Sequence, residues 1–99
     1  MSKTFTWGKD KTKLAIWNKQ VFHVDRHGDK WWSLNGKRHR VDGPAVEYAN
    51  GYKVWWLNGK LHRENGPAIE FVDGDKSWWL NGLWFTESDY WHIMKEKNE

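Results

Sequence analysis

Residues 51–73 read GYKVWWLNGKLHRENGPAIEFVD. The same unit stands before it, at 28–50, as GDKWWSLNGKRHRVDGPAVEYAN, and it restarts after it, at 74–85, as GDKSWWLNGLWF. Gly28, Gly51 and Gly74 set a period of 23 residues, and Asn35-Gly36, Asn58-Gly59 and Asn81-Gly82 recur in the same phase. Self-similarity at that spacing marks a repeat architecture, in which one supersecondary unit buries its apolar side by stacking on copies of itself.

Two turn signals alternate within the unit. Asn58-Gly59, in the context Trp-Leu-Asn-Gly-Lys, calls for a two-residue type I′ hairpin, because both central residues need positive φ, which Asn tolerates and Gly accepts freely. Asn50-Gly51 and Asp73-Gly74 are assigned the same two-residue geometry. Between them, Asp42-Gly43-Pro44 and Asn65-Gly66-Pro67 form a looser bend, since Pro has no N–H to give a ladder. Every connection is short, so the predicted architecture is mainly β: a single-layer, twisted antiparallel meander of hairpin repeats with about 6–8 strands.

A two-residue turn fixes which residues face one another, and side chains alternate sides along a strand. On that register Val46 opposes Trp55 and Glu47 opposes Val54, while Trp56 opposes Leu61 and Trp55 opposes His62. One face then collects Trp32, Leu34, His39, Val46, Tyr48, Trp55, Leu57, His62, Ile69, Phe71, Trp78, Leu80 and Phe85, and is taken as the core face. The other collects Trp31, Ser33, Arg38, Arg40, Ala45, Glu47, Val54, Trp56, Leu61, Arg63, Ala68, Glu70, Val72, Trp79 and Trp84.

After Phe85 the strand alternation stops. Thr86 followed by Asp89 resembles a capping box with the shorter acid, Glu87 and Asp89 suit the positive end of a helix dipole, and Tyr90, Ile93 and Met94 share one side. This predicts a C-terminal helix over 86–97, folded back on the core face. Ahead of the repeats, Leu14-Ala15-Ile16-Trp17 and Val21-Phe22-His23-Val24 suggest a degenerate hairpin within 1–27, with Arg26-His27 as an insertion at its turn. The whole of 1–99 is expected to be a single domain.

Composition narrows the chemistry. Ten Trp in 99 residues, against a hydrophobic share of 38%, mean that aromatic rings supply much of the burial. The absence of Cys removes disulfides and thiolate metal sites. The start Met-Ser-Lys-Thr does not read as a signal peptide, and no apolar run reaches the roughly 20 residues of a membrane span, so a cytoplasmic protein without membrane contact is expected. A formal charge of +3, with the two signs interleaved, suits a solvated surface better than a nucleic-acid footprint.

At Asn35-Gly36-Lys37-Arg38-His39 and Asn58-Gly59-Lys60-Leu61-His62 the chain resembles MORN-type repeats, which are 23-residue β-hairpin units stacked into a single-layer sheet. The wider form NGxxHRxxGPAxE followed by GxKxWWLNG is similar to a variant found in small accessory proteins of tailed bacteriophages and in some bacterial proteins. The resemblance covers residues 28–85 well and 13–27 poorly, and it departs from MORN at Arg40 and Arg63, where Gly is usual. It implies a scaffold for partners with no catalytic residues. A phage-encoded protein would act in the host cytoplasm on a bacterial host or anti-phage defence protein of toxin-antitoxin type, as inhibitor or as sensed trigger.

The residues support a binding role more readily than catalysis. His39-Arg40 and His62-Arg63, with Glu47 and Glu70, contain the types needed for acid-base work. They recur in step with the structural unit, however, which points to packing of His against Trp55 and to Arg63 pairing with Glu70 or Glu47 across strands. The five His match no metal-ligand spacing, and no metal or cofactor is expected. The candidate partner-binding residues are Trp31, Trp56, Trp79, Trp84, Leu61, Arg38, Arg40 and Arg63, because Trp and Arg dominate binding hot spots. A protein partner fits them best, with homodimerisation through the sheet face or an edge as one form of it. Single-stranded nucleic acid, stacked on Trp and held by Arg, is the alternative, opposed by Glu47 and Glu70 on the same face.

Overall fold

A computed structural model describes residues 20–97 of the chain. The first arm of the expected N-terminal hairpin, Leu14 to Trp17, lies outside the described residues. The described chain runs β1 (Gln20–Val24), β2 (Lys30–Leu34), β3 (Lys37–Arg38), β4 (Val46–Glu47), β5 (Lys53–Val54), β6 (Trp56–Leu57), β7 (Lys60–Leu61), β8 (Ile69–Glu70), β9 (Lys76–Leu80), β10 (Leu83–Phe85) and α1 (Glu87–Lys97). All pairings are antiparallel, in the order β1-β2-β4-β5-β8-β9-β10, with β3 on β2 and β6 paired with β7.

Each repeat is one long hairpin whose return strand is interrupted. β3 and β4 are two parts of one path along β2, separated by the bend 40–44; β7 and β8 are separated in the same way by the bend 63–67. Counting those parts as single paths brings the ten short strands to the predicted range. Backbone bonds knit one repeat to the next, from the Gly59 amide to the Arg38 carbonyl at 2.8 Å and from the Gly82 amide to the Leu61 carbonyl at 2.8 Å.

The Asn-Gly turns have the predicted geometry. Asn35, Asn58 and Asn81 take φ of 52°, 52° and 50°, and the glycines after them are also left-handed, so Leu34 faces Lys37, Leu57 faces Lys60 and Leu80 faces Leu83.

The other turns overturn the two-residue assignment. Val46 faces Val54 and Glu47 faces Lys53, which leaves Ala49, Asn50 and Gly51 as a three-residue loop closed by the Tyr48 amide on the Tyr52 carbonyl at 2.9 Å. Only the last loop residue is left-handed, at Gly51 with φ of 97°, and the Asn50 carboxamide accepts from the Tyr52 amide at 3.0 Å. This is a type I turn followed by a glycine bulge. The same closure joins Phe71 to Asp75 around Gly74 and Asp25 to Asp29 around Gly28, so Arg26-His27 is part of an ordinary loop and no insertion.

One extra loop residue moves every side chain on one arm to the other side of the sheet. Trp31, Val46, Val54, Ile69 and Ser77 therefore form one row, and Lys30, Glu47, Lys53, Glu70 and Lys76 form the adjacent row on the opposite side, with charges alternating across the strands. Val46, Tyr48, Ile69 and Phe71 leave the face predicted for them and join Val54, Trp56 and Trp79. Glu47, Glu70, Arg40 and Arg63 make the reverse move.

α1 begins as expected, with the Asp89 amide on the Thr86 hydroxyl at 3.2 Å, acids in its first turn and Lys95 and Lys97 in its last. It packs on the side of Trp78, where Tyr90 and Met94 are buried beside Leu80 and Phe85. The Trp78 ring centroid lies 5.0 Å from that of Tyr90 and 5.6 Å from that of Trp91. We call this the helix face and its opposite the open face.

Candidate binding face

Six of the eight sequence-selected residues come together on the open face. Trp31 stands opposite Val46, Arg38 opposite Ser33, Leu61 opposite Trp56 and Trp84 opposite Trp79, and alternation along the strands places all of them on one side. The Arg38 guanidinium sits over Trp31 at 4.7 Å and 5.7 Å from the centre of Trp56, and so bridges two repeats. The Trp79 indole N–H donates to the Ser77 hydroxyl at 2.7 Å, which leaves the ring face free of that bond. Trp31, Trp56, Trp79 and Leu61 are half-buried, and Trp84 is exposed.

The register shift adds Tyr48 and Phe71, which the sequence places in the core, beside Tyr52. Trp31 meets Tyr48 edge-on at 5.7 Å, Tyr48 stacks on Tyr52 at 5.0 Å, and Tyr52 meets Phe71 at 5.5 Å. This aromatic strip runs across two repeats, over buried Val46 and Val54. The signal that exposes it is the first copy of the turn, His27-Gly28, because a His is a poor occupant of the first type I′ position, where Asn or Gly is needed.

Arg40 and Arg63 are the two residues that the structure removes from this set. Each guanidinium lies over a tryptophan of the helix face, Arg40 over Trp32 and Arg63 over Trp55, both at 3.8 Å from the ring centroid. The Arg40 Nε donates to the Asp42 carboxylate at 3.1 Å, and its Nη1 donates to the Pro44 carbonyl at 3.1 Å and the Glu47 carboxylate at 3.0 Å. Arg63 repeats the pattern with Asn65, Pro67 and Glu70. The planar fork of Arg serves all these acceptors at once, which a Lys cannot do. These arginines clamp the bends.

His39 and His62 are buried and act between repeats. The Nδ1 of His39 accepts from the Asn58 amide and that of His62 from the Asn81 amide, both at 2.9 Å. A nitrogen that accepts from an amide carries no proton, so the other ring nitrogen is the N–H, and in His62 it donates to Glu64 at 3.1 Å. The ring thus ties a bend to the Asn-Gly turn of the following repeat. No cluster of three or more His, Asp or Glu converges on a point among the described residues.

Two carboxyls and one phenol are electrostatically perturbed, on the helix side and at one turn. The Lys97 ammonium, followed by His62, holds the Glu64 carboxyl below the usual range. Burial, opposed by the Gly66 amide, raises the Tyr90 phenol above its ordinary value. At Asp25, desolvation pushes upward, but the amides of Asp29 and His27 outweigh it and hold the carboxyl low. No helix among the described residues is long and apolar enough to cross a membrane. No protein family, curated protein or solved structure matches the chain.

Proposed function

We propose that the chain is a non-enzymatic protein-binding module that grips its partner with the open face. The observation that carries this reading is the convergence of Trp31, Trp56, Trp79, Trp84, Leu61 and Arg38 on the side of the sheet opposite α1. Aromatic rings and an arginine on a rigid sheet supply contact area at little entropic cost. The MORN-like pattern of residues 28–85 supports the finer reading: a phage-encoded accessory protein whose partner is a bacterial host or defence protein, met in the host cytoplasm as inhibitor or trigger. Substituting Trp56 and Trp79 with Ala abolishes partner capture on this reading. A partner retained by that variant overturns it.

Single-stranded nucleic acid gains one supporting observation, since Glu47 and Glu70 point to the helix face and no longer stand against a phosphate backbone. The same shift takes away Arg40 and Arg63. With Arg38 left as the arginine between the Trp rings, the face favours a protein surface over a polyanion, which needs several cations. Salt-sensitive retention on single-stranded DNA or RNA supports the nucleic-acid reading, and no retention at low salt rejects it.

A further inference from the structure

The helix face contains the same groove in successive repeats, with different contents. In the third repeat the floor is Trp78, Leu80 and Phe85, and α1 lies in it. The Tyr90 hydroxyl donates to the Arg63 carbonyl and accepts from the Gly66 amide at 3.3 Å, while Met94 packs one turn further on. Gly66 and Pro67, on the bend that Tyr90 touches, are buried.

In the second repeat the floor is made by the corresponding Trp55, Leu57 and His62, one wall is the bend 40–44, and the other is Arg63, Glu64 and Asn65 of the next bend, in the place that α1 takes in the third repeat. Between them stands an open groove of about 700 Å³, inside the roughly 300–1,000 Å³ range of ligand sites. The atoms that correspond to the partners of Tyr90 are the Arg40 carbonyl and the Gly43 amide. Among the described residues neither has a hydrogen-bond partner, and Gly43 and Pro44 are half-exposed where their counterparts are buried.

We propose that this groove receives a helix of a partner protein that presents a tyrosine with an apolar residue one turn later, the chemistry that Tyr90 and Met94 present in the third repeat. The third repeat shows what such a floor and wall take where no further bend follows. The tyrosine hydroxyl donates to the Arg40 carbonyl and accepts from the Gly43 amide, its ring lies against Leu57 and the edge of the Arg63-capped Trp55, and the apolar residue covers the floor. Arg63 already occupies the face of Trp55 at 3.8 Å, so the incoming ring meets a cation and an aliphatic side chain where Tyr90 meets a bare indole. This site lies on the opposite side of the sheet from Trp56 and Trp79, goes beyond the function proposed above, and fails or stands independently of it.

The test uses the full chain, labelled with 15N-glycine, and a helix-stapled peptide of the sequence TESDYWHIMKEK as probe. The expected result is a saturable shift of the Gly43 amide with the Gly66 amide unmoved, and binding about tenfold weaker for the peptide with Phe in place of its Tyr. A Leu57→Glu variant that keeps its amide dispersion abolishes the shift. The proposal is overturned if Gly43 does not move at millimolar peptide, if the Phe peptide binds equally well, or if Gly66 moves and Gly43 does not. It is also overturned if Gly43 shifts with protein concentration alone, which would make a second copy of the chain the occupant.

Discussion

The ring nitrogen of His62 is the smallest unit on which the stacking of the repeats depends. Replacing His62 with Ala leaves the Asn81 amide without its acceptor and opens a small void, and is expected to cost about 2 kcal/mol. Asn places an oxygen near the Nδ1 position, whereas Gln reaches only as far as Nε2. Urea melts are therefore expected to rank His62→Asn above both His62→Gln and His62→Ala; equal loss in all three would show that the bond to Asn81 contributes nothing. A second residue-scale prediction concerns Gly66, where an added Cβ would stand 2.8 Å from the Arg63 guanidinium carbon. That guanidinium is held by stacking and by bonds to Asn65, Pro67 and Glu70, so Gly66→Ala is expected to destabilise by about 1–3 kcal/mol, read in the same melts. The pairing of Arg63 with Glu70 was legible from sequence because both recur with the period. The stacking of Arg on Trp was not, because it depends on which side of the sheet the bend leans to.

At the scale of elements, α1 closes the stack where a further bend would stand, and its docking is expected to respond to pH at both ends of the range. Glu64 titrates lower in the folded chain than in the unfolded one, through Lys97 and then His62, so its contribution is full above the ordinary carboxylate range and is lost as pH falls through the folded value. The carboxylate is half-exposed, which makes the effect small; Glu64→Gln is expected to flatten the acid limb of a melting-temperature profile slightly. Tyr90 has its phenol raised by burial, so its contribution is full below the ordinary value of 10.0 and is lost as pH rises through the folded one. In alkaline titration followed at 295 nm, Tyr90 is expected to ionise above the ordinary phenol value of 10.0, and Tyr90→Phe to remove that late step at a cost of about 1–2 kcal/mol. The helix was readable from Thr86, Asp89 and the spacing of Tyr90 and Met94. The turns at Gly51 and Gly74 were misread because Asn-Gly and Asp-Gly fit both a two-residue and a three-residue loop. The backbone settles the matter with Asn50 outside the left-handed region, and the face of every residue between two such turns follows from that one difference.

For the whole molecule, the period in Gly28, Gly51 and Gly74 was enough to read a single-layer antiparallel meander, because every connection is too short for anything else. The division of that layer into two faces was legible only in part. Trp31, Trp56, Trp79, Trp84, Leu61 and Arg38 stay together because the Asn-Gly turns within each repeat were read correctly, while Tyr48 and Phe71 needed the corrected loops to join them beside Tyr52. The aromatic face is expected to serve a partner through Trp56 and Trp79, beside the strip that covers Val46 and Val54. The most direct measurement compares the wild-type chain and the Trp56→Ala/Trp79→Ala variant as bait in bacterial lysate, with thermal melts on both proteins. A partner captured by the wild type is expected to be absent from the variant, with the melting temperature lowered by less than about 5 °C. Loss of folding in the variant, or capture of the same partner by both proteins, would contradict it.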